Sequence, residues 1–150
     1  MQTFLPYPDF EKTAKVLDRA RLGKQRVEVI QILNALTDPT KGWANHPATK
    51  MWKGREYQLT RYGLAMCKEW ARRGYSNELS LPQLEAYLYL FRDNDYDQRM
   101  PWWMGMPKFH TRHRLMLVWK DEAHYLPLFD DISAKPRREP VYYWPKENPT

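Results

Sequence analysis

Apolar residues recur at three- and four-residue spacing through most of the chain, which is the period of amphipathic helices. The clearest case is a helix predicted from about residue 19 or 21 to residue 36, ending before Asp38 and Pro39. Its apolar stripe consists of Leu22, Val29, Ile32, Leu33 and Leu36. This stripe indicates a long helix with one face in a hydrophobic core.

The same spacing predicts several further helices. They cover residues 9–17, 47–73, 80–91, 108–119 and 121–126, with a break in the second of them near Gly54. Asp9 is the expected N-cap of the first, and Gly74 suits the position that follows the end of the second. Ser80 and Gln83 have the spacing of a capping box.

The segments between these helices are long and rich in proline, glycine and aromatic residues. Loops are expected at 39–46 and 92–106, and an extended aromatic, proline-rich surface tail at 133–150. No pair of segments alternates as strands do. The predicted fold is therefore all-α: residues 1–150 form one compact, single-domain helical bundle with long loops.

Charge is distributed unevenly along the chain. The net charge is +6, but residues 12–73 hold fourteen Lys or Arg against five Asp or Glu. A basic block of this size favours a polyanionic partner. A single cysteine, Cys67, excludes an internal disulfide, and charged residues interrupt every apolar run. We expect a cytoplasmic monomer that does not enter a membrane.

The polar edge of the long helix carries one carboxylate among cations. Arg21, Lys24, Glu28 and Gln31 follow one another at helical spacing on the same flank. The cations suit the phosphates of a polyanion. A carboxylate among them would repel those phosphates, so its presence indicates a different role. Enzymes that cut the bond between a base and its sugar need this combination, because they hold a backbone and supply an acid-base group. A solvated, salt-bridged helix face is the alternative.

The histidines admit more than one interpretation. His110 and His113 lie three apart on a predicted helix, interleaved with Arg112 and Arg114. Contacts to phosphates or bases and ordinary packing are both compatible with this pattern. A metal-assisted hydrolase would draw its ligands from His46, His110, His113 and His124. No metal-binding motif completes such a set, and we predict neither a metal nor a cofactor.

The chain resembles the phage-type pyrimidine-dimer DNA glycosylase family, also called the endonuclease V or pyrimidine-excision family, in the order and spacing of several short segments. The resemblance covers most of the chain and points to a divergent actinobacterial or phage branch. The matching segments are 22–28 (LGKQRVE), 46–48 (HPA), 51–53 (MWK), Tyr57, Leu59, Tyr62, Glu69, 72–75 (RRGY), 110–125 and 142–144 (YYW).

This resemblance implies a helical DNA-repair enzyme with glycosylase and abasic-site (AP) lyase activities on damaged or modified pyrimidines. In the family, the N-terminal α-amine attacks C1′ of the damaged nucleotide to form a Schiff base, and a helix glutamate is essential. That glutamate corresponds to Glu28. Methionine aminopeptidases generally leave a terminus protected before a residue such as Gln2, so Met1 is the expected nucleophile. An α-amine suits this role because its reference pKa is about 7.7–8.0.

The implied partner is double-stranded DNA. The residues expected to contact it are Arg21, Lys24, Gln25, Arg26, His46, Lys50, Lys53, Arg112, His113 and Arg114. Val27 and Gln31 occupy positions at which the family carries arginines. A non-catalytic DNA-binding protein that retains the glycosylase fold is the alternative function.

Overall fold

The computed structural model describes residues 1–147, and within that range the chain contains helices but no strands. The helices are α1 Phe10–Val16, α2 Arg19–Thr37, α3 Pro47–Lys50, α4 Glu56–Arg72, α5 Ser80–Phe91, α6 Pro107–Lys120 and α7 Glu122–Tyr125, followed by a 3₁₀ turn at Leu126–Leu128. The predicted all-α fold is confirmed. The last three positions of the predicted tail lie outside the described residues.

Local side-chain chemistry sets several of the helix boundaries. The Asp9 carboxylate accepts the Lys12 N–H at 2.8 Å and so caps α1 as predicted. Asp18 caps α2 in the same way. Gly54 has a φ of +78°, which explains why the helical pattern of residues 47–73 is interrupted there.

The capping box predicted at Ser80 is wrong. The N-cap of α5 is Leu79, and no side chain caps this end. The chain is already coiled before Ser80, since the Leu81 N–H donates to the Asn77 carbonyl at 3.0 Å. Ser80 is therefore a residue of the first turn, and the Gln83 amide donates to the Leu79 carbonyl at 2.7 Å instead.

Helices α2 and α4 form the centre of the core. The stripe predicted on α2 is buried, apart from the half-buried Leu36. Gly63 allows α4 to approach α2 and α5 closely, because a Cβ at this position would lie 2.8 Å from Val29 of α2 and 3.0 Å from Leu84 of α5. α1 docks on the other side of α4 through an edge-on contact between Phe10 and Tyr62. No helix within residues 1–147 is long and apolar enough to cross a membrane.

The aromatic loops divide between core and surface. Trp103 is fully buried, whereas its neighbour Trp102 is 41% exposed. Tyr142, Tyr143 and Trp144 are half-buried and pack against the core, so the tail folds back on the bundle.

The N-terminal segment, residues 2–6, is buried without belonging to a helix or a strand. Side chains of α2, α4 and α6, instead of a neighbouring strand, bind its backbone groups. This segment carries the chain terminus to one end of α2.

Candidate active site

A surface cavity of about 340 Å³ lies where the chain terminus meets α2. Its lining consists of Met1, Gln2, Phe4, Ala20, Arg21, Lys24, Gln25, Glu28, Lys120 and Tyr142. The structure therefore brings together the two residues predicted to be catalytic, Met1 and Glu28. Both are half-buried, which leaves them accessible from the cavity.

Two N–H donors hold one oxygen of the Glu28 carboxylate. Glu28 Oε2 accepts from the backbone N–H of Gln2 at 3.1 Å and from the Gln25 side-chain amide at 3.2 Å. Among the described residues, no donor binds the other oxygen, Oε1. The carboxylate is thus held in one orientation through Oε2.

Gln25 links this carboxylate to the N-terminal segment. Its amide nitrogen also donates to the Gln2 carbonyl at 2.9 Å, and its oxygen accepts the Phe4 N–H at 2.9 Å. The Tyr62 hydroxyl lies 2.6 Å from the same oxygen. Gln25 lines the cavity but is only 1% exposed, and both ends of its amide are engaged by other groups of the protein. The sequence predicted that this residue contacts DNA, and the structure shows that it joins α2 to the N-terminal segment.

His46 lies close enough to the terminus and to Glu28 to be affected electrostatically by both. Burial, and then the charge of the N-terminal ammonium, lower the pKa of His46, while Glu28 raises it. The ring also caps α3, since Nδ1 accepts the Ala48 N–H at 3.0 Å. His46 therefore stands beside the cavity in its neutral form, with Nδ1 already occupied.

Cations surround the cavity on two sides. Arg21 pairs with Asp18 at 3.1 Å, whereas Lys24 and Lys120 are exposed and form no ion pair within the described residues. Lys120, at the end of α6, was not identified from the sequence. Tyr142, in the tail, belongs to a segment that resembles the family, but the sequence did not predict its place at this cavity. The proximity of both residues to α2 depends on the tertiary fold.

Arg26 occupies the opposite flank of α2. Its guanidinium lies 4.3 Å from the centre of the Trp70 ring and donates to the Asn77 side chain at 3.0 Å. It lines a second groove and not the cavity that holds Glu28. The structure thus separates Arg26 from the other cations of its motif.

Two of the predicted contact residues, Lys50 and Lys53, line another cavity, of about 240 Å³. Both are exposed, and Lys53 pairs with Glu147 of the tail at 3.8 Å. They form a separate basic surface on α3 and the turn after it.

The polar residues of α6 bind other parts of the chain. Arg112 donates to the Val141 carbonyl at 3.0 Å, and Arg114 donates to the Pro6 carbonyl at 2.6 Å. His113 is fully buried and accepts the Leu5 N–H at 2.9 Å. The structure therefore does not bring these three side chains to a common open surface.

The described residues contain no cluster of three His, Cys, Asp or Glu side chains that could hold a metal ion. His110 and His113 bind the backbone of Leu5, and the exposed His124 contacts the Val16 carbonyl at 2.8 Å. The ligand set required by the metal-assisted hydrolase is therefore not assembled in this part of the chain.

Comparison with known proteins identifies the family. Residues 1–83 match the family model for pyrimidine dimer DNA glycosylase, and this segment includes Met1, all of α2 and all of α4. Searches of curated proteins and of solved structures found no match. Because the family match spans more than half of the chain, the protein belongs to the pyrimidine dimer DNA glycosylase family and is an enzyme of DNA repair.

Proposed function

We propose that this enzyme releases damaged or modified pyrimidines from duplex DNA and then cleaves the abasic site, with Met1 as nucleophile and Glu28 as acid-base residue. The observation that supports this most strongly is the shared cavity of the chain terminus and Glu28. A nucleophile and an acid-base group within one open cavity can act on the same sugar.

The reaction begins at C1′ of the damaged nucleotide. The lone pair of the Met1 amine forms the C1′–N bond as the bond to the base breaks, and the departing base takes up a proton. Loss of a proton from the attached amine opens the sugar ring, giving a Schiff base and a protonated O4′. Abstraction of a C2′ proton then expels the 3′ phosphate, and water releases the amine.

Glu28 suits the proton transfers of this sequence. Gln2 and Gln25 hold its Oε2 atom, so Oε1 is the oxygen that would exchange protons with the substrate. A carboxylate in this position stabilises positive charge that develops on the sugar and shuttles protons during ring opening and elimination. The fixed orientation reduces the reorganisation needed when the sugar arrives.

The cations around the cavity supply DNA affinity. Lys24 and Lys120 are exposed at its rim and suit phosphate contact, and Arg21 adds a third positive group. Lys50 and Lys53 form a separate basic surface on α3 and the turn after it, which suits further phosphate contacts. Reaching C1′ requires a distorted duplex or a base displaced from the stack, and contacts along several phosphates stabilise that distortion.

Borohydride trapping on duplex DNA that contains an abasic site tests the mechanism. Reduction of the Schiff base leaves a stable protein–DNA adduct, which we expect for the wild-type enzyme. We expect Glu28→Gln, which preserves the size of the side chain, to slow base release and adduct formation by about 10²–10⁴-fold. Cleavage of the glycosidic bond is measured on duplexes that contain a pyrimidine dimer, through the abasic site that it leaves, because the two joined bases stay attached to the strand.

The matched control is Glu11→Gln, which removes an exposed carboxylate paired with Lys68 away from the cavity. We expect the control to retain wild-type rates. Duplex binding by the wild type without an adduct would instead support a DNA-binding protein that lacks the chemistry. An adduct undiminished by Glu28→Gln would remove Glu28 from the mechanism.

A further inference from the structure

Helix α6 presents two buried histidines to the backbone of Leu5. The Leu5 N–H donates to His113 Nδ1 at 2.9 Å, and His110 Nδ1 lies 2.8 Å from the Leu5 carbonyl oxygen. The Gly105 N–H donates to the remaining nitrogen of His110, Nε2, at 2.9 Å. His110 is 3% exposed and His113 is 0% exposed, so these hydrogen bonds are shielded from water.

These partners require opposite tautomers in the two rings. His113 Nδ1 accepts a hydrogen bond, so the proton of this ring is on Nε2. His110 Nε2 accepts from Gly105, so its proton is on Nδ1, from which it donates to the Leu5 carbonyl. His113 therefore binds the Leu5 N–H only while its ring is neutral. Protonation of His110 would break the bond from Gly105 but would leave the bond to the Leu5 carbonyl.

The surroundings favour the neutral rings. Burial lowers the pKa of His110, and Arg114 lowers it further, although the Leu5 carbonyl opposes this. Burial lowers the pKa of His113 to about 3, with His110 adding to the effect. The remaining polar neighbour is Tyr142, whose ring centre lies 5.5 Å from that of His113. No carboxylate contacts either ring among the described residues.

We propose that His110 and His113 are positioning residues, which fix the Leu5 peptide and thereby set where Met1 presents its amine to the substrate. Three residues, Gln2, Thr3 and Phe4, lie between Met1 and Leu5, and all three are buried. A shift at Leu5 is therefore transmitted along the segment to the terminus. Displacement of a reacting group by about 1 Å can slow a reaction by about 10²-fold. We call the hydrogen bonds of His110 and His113 to Leu5 the clamp. The effect on catalysis rests on the proposed function, whereas the existence of the clamp does not.

The first test is ¹⁵N NMR of the histidine rings in the full-length protein at neutral pH. We expect two neutral rings of opposite tautomer, His113 protonated at Nε2 and His110 at Nδ1. The Leu5 amide should also exchange slowly with solvent. The same tautomer in both rings, or a protonated ring, would overturn the proposal.

The second test compares two variants of His113 in single-turnover borohydride trapping. Asn places an acceptor near the position of Nδ1, whereas Leu removes it. We expect His113→Leu to form the adduct about tenfold or more slowly while duplex affinity changes less than about twofold. We expect His113→Asn to recover most of the rate.

The control is His124→Leu, since His124 is exposed and does not contact Leu5. A folded His113→Leu enzyme that traps at the wild-type rate would contradict the proposal. Equal losses of binding and trapping would also contradict it. Absence of an adduct with the wild-type enzyme would reject the proposed function instead, and the tautomer measurement would still decide whether the clamp exists.

Discussion

Gln25 connects Glu28, the proposed acid-base residue, to the segment that carries the proposed nucleophile, Met1, through one side-chain amide. Its nitrogen donates to the Glu28 carboxylate and to the Gln2 carbonyl, and its oxygen accepts the Phe4 N–H. Because the residue is buried, each of these groups would lack a water partner if the amide were removed. Gln25 thus contributes both to stability and to the geometry of the cavity.

We therefore expect Gln25→Leu to lower the free energy of unfolding by about 1–3 kcal/mol, since it leaves buried backbone groups unsatisfied. Urea denaturation measures this loss. Trapping on abasic-site DNA should fall as well, because Glu28 loses one of its two donors. Gln31→Leu, at an exposed position of the same helix, is the control. Equal stability of the two variants would contradict this account of Gln25.

The site residues differ in how far the sequence identified them. Glu28 could be recognised because a lone carboxylate among cations at helical spacing is a local pattern. Gln25 was expected to contact DNA, and its hydrogen bonds to the N-terminal segment could not be predicted from the sequence of α2 alone. Lys120 was missed, and the place of Tyr142 at the cavity was not predicted, because their contacts with α2 join distant parts of the chain.

Helix α3 depends on a histidine for its first turn. His46 Nδ1 accepts the Ala48 N–H, and Pro47 follows at the first helical position. The cap requires an unprotonated Nδ1. Burial and the N-terminal ammonium lower the pKa of His46, so the native state favours the neutral ring. The unfolded chain binds the proton more readily, and acid therefore weakens this element.

Two variants of His46 distinguish the stability contributed by the helix cap from the pH dependence contributed by the imidazole ring. We expect His46→Ala to lower the free energy of unfolding by about 0.5–2 kcal/mol at pH 7.5, while His46→Asn retains the cap and most of the stability. The contribution of the neutral ring is complete above the unfolded pKa of about 6.5 and is lost as the pH falls through the lower native value. The wild type should therefore lose more stability than His46→Asn between pH 7.5 and 5.5. Equal losses in denaturant titrations would contradict this.

At the scale of elements, the helices were predictable and the N-terminal segment was not. Apolar periodicity and the Asp9 cap are local, so the helix bounds could be predicted closely. Residues 2–6 have no periodic pattern and no backbone strand partner. Their hydrogen bonds come from Gln25, Tyr62 and α6, and the Leu5–His113 bond spans 108 positions of sequence. Such contacts depend on the assembled fold.

Considered as a whole molecule, the protein assembles its cavity from both ends of the chain. Residues 1–83 match the family and contain Met1 and Glu28, whereas Lys120, Tyr142 and the histidines of α6 lie beyond the match. The family match therefore contains both residues predicted to be catalytic, and residues beyond it complete the lining of the cavity. The resemblance covers most of the chain, but it did not reveal that His110 and His113 bind the backbone of Leu5, because these contacts depend on the tertiary fold.

The most direct test of the central claim is to locate the adduct. After borohydride trapping on abasic-site DNA, proteolysis and mass spectrometry identify the residue that carries the nucleotide. We expect the modification on the α-amine of Met1 in the intact chain. Modification of Lys24 or Lys120, the two exposed amines at the cavity, would contradict it. So would undiminished trapping by protein whose α-amine has been acetylated.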